Sequence, residues 1–570
     1  MLLRTQLARL FVAALVIVSF TSGAFAQANA QSETKPKAQP MQVFAAGGAA
    51  NSDSSAELRW KFTDESLSSG RLKGVRIYRL LDGDRIGFNI PPVELVADVG
   101  MGTSLKVDGL KNGSRAIFIG RAYDQSDEEI HQAVFFAFPG VPGKERPSRL
   151  NNLYAANGAT AVGVFWDPLP EINIAGYEIA RRADNEGDYT VVARFPKVVR
   201  LDVERTGAEA QEQLPEIRPT MFRDSSVEPG RTYSYRVRAM DMEGNFGPDT
   251  VVESVRIEPA RSPLPEEVLL LARKGSDESL RVARYYAERR GVPERNILEV
   301  SIPKAAHTFR NVQVVEAVRE HLLNNGLAGK IRVIVPCRGV PLGDGRRSLD
   351  SMLMDLFDRY TWGRTMGTSN PFFGQNAHFD GSFGLYLVSR LDGPDAETAM
   401  GLVDKAIAAE REVRASSGAA YFVNDQAGQE GVKAAERHGV QVVTKDRLYT
   451  KENLIPDEIM WFFSWGHEYR KIRRNEWPVG SIAGYLKSDT LARLNQPKAG
   501  YWVQGLLEEG VTATYGAVVE PYVQGYTRGD ILLDRFWGGE YTFAEAYIMA
   551  TPTVRWAMSA VGDPLYKLRK

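Results

Sequence analysis

The spacing of hydrophobic residues changes character along this chain, and each change predicts a different kind of structure. An apolar run over 10–20 follows Arg4 and Arg9 and gives way to Ser22-Gly23-Ala24-Phe25-Ala26. Residues 27–55 hold Gln, Ala, Ser, Gly, Pro and Lys with almost no large apolar side chain, a composition that predicts a disordered tether. Residues 56–140 alternate in short bursts such as Leu58-Arg59-Trp60-Lys61-Phe62 and Val75-Arg76-Ile77-Tyr78, divided by Asp82-Gly83 and Asn112-Gly113. Period-two bursts between turn dipeptides predict an all-β sandwich. Residues 149–259 repeat the plan, with a charged stretch over 198–220 predicted as a long inserted loop.

From 264 onward the period lengthens. Helices are predicted over 276–290, 311–325, 348–360, 395–413, 500–509, 530–537, 543–549 and 553–560. Ser276 can cap the first and Gly291 end it. Apolar strands are predicted between them over 297–302, 331–335, 383–388, 419–423, 440–443, 459–465, 481–486 and 511–519. Strands alternating with helices predict an α/β three-layer domain with a mostly parallel sheet over 264–570.

The totals narrow the classes. A chain of 570 residues is too long for one core. A formal net charge of -1 argues against nucleic acid as a partner. The positive flank, short apolar core and Ala24-Phe25-Ala26 site predict a signal peptide over 1–26, hence export to the periplasm, cell surface or exterior. The run is shorter than the roughly 20 residues that span a bilayer, so no integral span is expected after cleavage. Cys337 is the only cysteine, which excludes an intramolecular disulfide and cysteine-based zinc sites.

Candidate chemistry lies where the strands of the last domain end. Val335 is followed by Pro336-Cys337-Arg338, Val388 by Ser389-Arg390-Leu391-Asp392, Trp465 by Gly466-His467-Glu468, and Val519 by Glu520. Parallel strands would bring these ends to one edge, where open α/β sheets bind ligands. Arg338, Arg390, Asp392, Glu468 and Glu520 are candidate binding residues there, and His467 is the candidate base, since imidazole titrates near neutrality. Its partner is either Ser488 or Cys337. Ser488 equally reads as a helix cap, and Cys337 as a packing residue. A metal site from His467, Glu468, Asp392 and Glu520 lacks any fixed ligand spacing; no metal or cofactor is expected.

Two resemblances add to this. Trp166, Tyr177 and the segment Glu228-Pro229-Gly230-Arg231-Thr232-Tyr233 resemble a fibronectin type III module, more closely in the second sandwich than in the first. That resemblance implies a core Trp and a corner hydrogen bond from Tyr233 to nearby backbone. Gly339-Val340-Pro341-Leu342, Arg390-Leu391-Asp392-Gly393-Pro394, Gly516–Tyr522 and Gly562-Asp563-Pro564-Leu565-Tyr566 resemble the motif set of a family of exported bacterial proteins that carries no assigned activity. Gly562-Asp563-Pro564 and the apolar strand ending in Gly466-His467 are also similar to the caspase and gingipain fold. There a His ends one strand and a Cys nucleophile ends a later one. No Cys follows His467 in this chain; Ser488 stands roughly where it would fall. The expectation is an exported modular binding or scaffold protein, facing a protein or cell-envelope component, with a degenerate caspase-like domain. The alternative is a peptidase-like hydrolase using His467 with Ser488 or Cys337.

Overall fold

The computed structural model describes residues 43–569, apart from 81–92, 113–115, 138, 141–145, 168, 170–173, 185, 196–219, 242–243, 303–309, 344, 346, 358–366, 424–425, 446–457, 466–475, 493 and 496–501. The expected signal segment, the expected inserted loop and residues Gly466, His467 and Glu468 therefore lie outside the described residues.

Two antiparallel sheet pairs come first. One sheet orders Phe44–Ser52, Ser55–Phe62 and Ser104–Asp108; its companion orders Val93–Asp98, Leu72–Leu80, Ala116–Asp124 and Glu129–Ala137. The second pair has the same layout: Tyr154–Asn157, Val162–Phe165 and Met221–Asp224 against Thr190–Phe195, Ile174–Ala183, Thr232–Asp241 and Thr250–Arg256. The strand Phe44–Ser52 corrects the tether expected over 27–55. Its sequence is poor in large apolar residues, but backbone pairing with Ser55–Phe62 satisfies its amides. Phe44 anchors it against Phe135, ring centroids 6.4 Å apart and edge-on.

In the second sandwich Trp166 and Tyr177 meet edge-on at 5.2 Å inside a core drawn from both sheets. The Glu228 amide donates to the Tyr233 hydroxyl at 2.9 Å, the corner bond that the resemblance implies. This sandwich is docked on the α/β region. Tyr154 lies between Phe165 and Phe357, each 4.9 Å away. Arg319 pairs with Asp167, and the Arg223 Nε donates to Ser382 Oγ at 2.9 Å.

The α/β region itself is built on parallel strands. A four-stranded sheet orders Ile297–Val300, Val268–Arg273, Val333–Pro336 and Leu387–Val388, all parallel. A six-stranded sheet orders Val442–Lys445, Ala419–Val423, Ile459–Trp465, Ile482–Leu486, Ala513–Ala517 and Met558–Val561. Its first five strands are parallel, and the last is antiparallel to its neighbour. One hydrophobic core runs from Val268 to Leu568 across both sheets. Helix Asp277–Arg290 begins at Ser276, whose side chain accepts from the Ser279 amide, and ends at left-handed Gly291, as expected.

The sheets join at Arg390. Its amide donates to the Ala560 carbonyl and its carbonyl accepts from the Gly562 amide, both at 3.0 Å, a parallel bridge. Met558–Val561 thus runs with the first sheet and against the second. The helix expected over 553–560 is instead the short strands Thr553–Val554 and Met558–Val561. A brief, wholly buried apolar run carries no usable period, so pattern alone does not separate the two. The helix expected over 348–360 is limited to Leu349–Leu353 among the described residues, and helix Gln426–Arg437 was not anticipated.

Candidate functional site at the sheet edges

The antiparallel seam decides where the candidate residues go. Carboxyl ends of the first sheet point one way and those of the second point the other. The single shared edge expected from the sequence is therefore two edges. Cys337, Arg338, Arg390 and Asp392 occupy the first. Ser488 and Glu520 lie just beyond strands of the second. A metal set combining Asp392 with Glu520 is not assembled.

The first edge is closed. Arg390, Asp350 and Asp392 have side chains with no exposure. Arg390 donates through Nε and Nη2 to both Asp350 oxygens, at 2.8 and 2.9 Å. Its Nη1 reaches Asp392 at 2.7 Å and the Val340 carbonyl at 3.4 Å, and Nη2 also reaches the Pro341 carbonyl at 2.9 Å. Those bonds occupy the whole guanidinium fork. Two of the sequence motifs, around Val340 and around Arg390, are thus the two sides of one buried ionic knot. Arg338 closes it from outside, pairing with Glu278 at 2.8 Å and with the Gly393 carbonyl. Cys337 is fully buried. Burial and then the neighbouring Asp392 carboxylate push its thiol far up, against a smaller pull from Arg390. Arg338 does not activate it. A buried thiol held neutral is a poor nucleophile, which favours the packing alternative for Cys337 over the nucleophile.

Among the described residues, the second edge carries less cover. Trp465 pairs with Leu486, and Ile482–Leu486 pairs in turn with Ala513–Ala517. Ser488 is half-buried and Glu520 exposed, and the Ser488 hydroxyl donates to the Glu520 carboxylate. Among the described residues Ser488 caps no helix: the chain directly after it makes turns, and the neighbouring Thr490 accepts from the Ala517 amide at 3.1 Å.

Tyr526, which sequence reasoning missed, donates at 3.4 Å to the same Glu520 oxygen that accepts from Ser488. Burial raises its phenol to about 12; Ser488 pulls it down and Glu520 pushes it up. Asp489 and Tyr522 hold positive φ angles of 52° and 49° beside the pair. Non-glycine residues in that region are strained and gather at functional sites. Asp tolerates that conformation through its short polar side chain, so the strain rests on Tyr522, which nothing in the sequence marks for it. His467 and Glu468 lie outside the described residues.

The Gly562-Asp563-Pro564 motif is structural. Asp563 is buried and accepts from the Tyr286 hydroxyl at 2.9 Å and from Arg290 Nε at 2.6 Å.

No family model and no curated protein matches the sequence. Among solved structures, the chain is similar to the chicken CNTN1 FN1-FN3 domains, at 11% identity over 38% of this chain and 66% of that one, with a TM-score of 0.17. It is also similar to the twitchin kinase region from C. elegans, at 16% identity over 20% of this chain and 17% of that one, with a TM-score of 0.15. Among the described residues, no helix is long and apolar enough to cross a membrane.

Proposed function

We propose that this is an exported, modular binding protein whose last domain keeps a caspase-like plan without its thiol chemistry. The observation that carries this reading is the burial of Cys337, the chain's only cysteine, beneath a satisfied ionic knot. The partner is a protein or a component of the cell envelope. The docking of the second sandwich against the α/β region supports a composite surface rather than a passive spacer. The full chain is expected to co-sediment saturably with isolated bacterial cell envelopes, and to bind with His467 replaced by Ala as well as without the change. Absence of saturable binding would remove this reading.

One observation favours a second reading. The strand before His467 and the strand before Ser488 are adjacent and parallel, the relation a base and nucleophile need. In that reading His467 takes the Ser488 proton as the hydroxyl oxygen attacks an acyl carbon, then returns it to the leaving group. A fluorophosphonate probe is the direct test. Labelling at Ser488 that disappears in His467→Ala establishes the hydrolase. No labelling of the folded chain leaves the binding reading standing.

A further inference from the structure

Between the second sandwich and the α/β region lies a cleft of about 300 Å³, in the size range of small-molecule sites. The turn after Tyr154–Asn157, the linker at Ala260 and Arg261, and the segment around Phe379 contribute to its walls. Three aromatic rings, Phe372, Phe379 and Phe383, give it an apolar side. Three arginines, Arg223, Arg261 and Arg332, line the rest, with Glu258, Glu267 and Asp380 among them.

The charges balance in number but not in bonding. Arg261 takes both oxygens of Glu267, at 2.8 and 2.9 Å, and the Leu264 amide takes one of them again at 2.8 Å. Arg223 is satisfied by Ser382 and, at 3.4 Å, by Asp380. Arg332 is left over. Its side chain is 14% exposed, and its nearest carboxylate is the committed Glu267, 3.9 Å away. Among the described residues its guanidinium makes one hydrogen bond, to the Phe379 carbonyl, while its buried Nε has no partner. Burial pulls the group below the usual arginine range, against smaller support from Glu267. Arg390, equally an arginine beside a core strand, fills its whole fork. A guanidinium offers five donors; apart from the Phe379 bond and the buried Nε, the rest belong to a side chain that lines the cleft, and a partly desolvated charge gains from an acceptor there.

We propose that this cleft binds a small organic anion, with its oxyanion on Arg332 and its apolar body against Phe372, Phe379 and Phe383. The backbone holds Arg332 rigidly for this: its amide donates to the Glu267 carbonyl and its carbonyl accepts from Leu387. Carboxylate and phosphate share the required chemistry.

The test is calorimetric titration of the full chain with benzoate and with inorganic phosphate, ionic strength held constant with chloride. One saturable site is expected. Arg332→Lys keeps the charge but loses the fork and should weaken binding at least about tenfold, the loss expected for a charged hydrogen bond. Ala377→Trp, at an exposed lining position, should obstruct entry without touching the core. Benzoate binding that both variants weaken supports an aromatic carboxylate; phosphate binding with the same dependence supports the phosphate source. No saturation by either anion, or equal affinity in wild type and both variants, overturns the proposal.

Discussion

At one carboxyl edge of the sheet, Arg390 sits between Asp350 and Asp392 with all three side chains buried. At the other, Ser488 and Glu520 meet in contact with solvent. Both are polar clusters at the ends of buried apolar strands. Among the described residues they differ in what covers them. The segment after Val333–Pro336 returns over the first edge, bringing Val340, Pro341 and Asp350 onto Arg390, whereas the described residues place no comparable cover over Ser488. A polar strand ending marks a position where chemistry can occur; the next segment of chain decides whether it becomes a lock or a site.

The largest way to break this contrast is to open the lock. Arg390→Met leaves two buried carboxylates without their cation, a loss of about 3–5 kcal/mol, to be read from urea midpoints. The loss should depend on pH with a definite sign. Burial already pushes the Asp392 carboxyl up with Arg390 present. Removing Arg390 raises it further, so the variant's native state holds protons more tightly than its unfolded state. Its deficit should therefore shrink as pH falls from 7 toward 5 and be greatest at neutrality. A deficit that grows in acid would contradict the knot.

The thiol gives a second, intermediate contrast. Iodoacetamide should leave Cys337 unmodified in the native chain while modifying it completely in the urea-unfolded chain. Modification of the native protein at a free-thiol rate would make Cys337 a reactive group again. The smallest effect belongs to the second edge. Ser488→Ala and Glu520→Gln should each shift stability by no more than about 0.5 kcal/mol, as exposed substitutions do. A loss comparable to that of Arg390→Met would mean that the second edge is also a structural lock.

Much of the architecture was legible in the sequence because the signals were local. Alternation around Trp60 and Trp166, the cap at Ser276 and the stop at Gly291 are decided within a few residues. The site was legible only as a set of strand endings. The expectations that failed needed long-range information. Met558–Val561 has too few residues to show a period, yet its direction turns one expected edge into two. Cys337 and Arg390 look alike at the sequence level, as polar strand endings; only Asp350, forty residues before Arg390, shows that the position is sealed. Phe44–Ser52 became a strand through pairing, which composition does not report.

The seam at Arg390 also orders events in time. Met558–Val561 lies between the two sheets in space but comes after every other strand of both in the chain. On a ribosome, the rest of the α/β region is synthesised before the element that joins its halves exists. Contacts of such long sequence separation slow folding, and here they postpone its completion until that strand emerges.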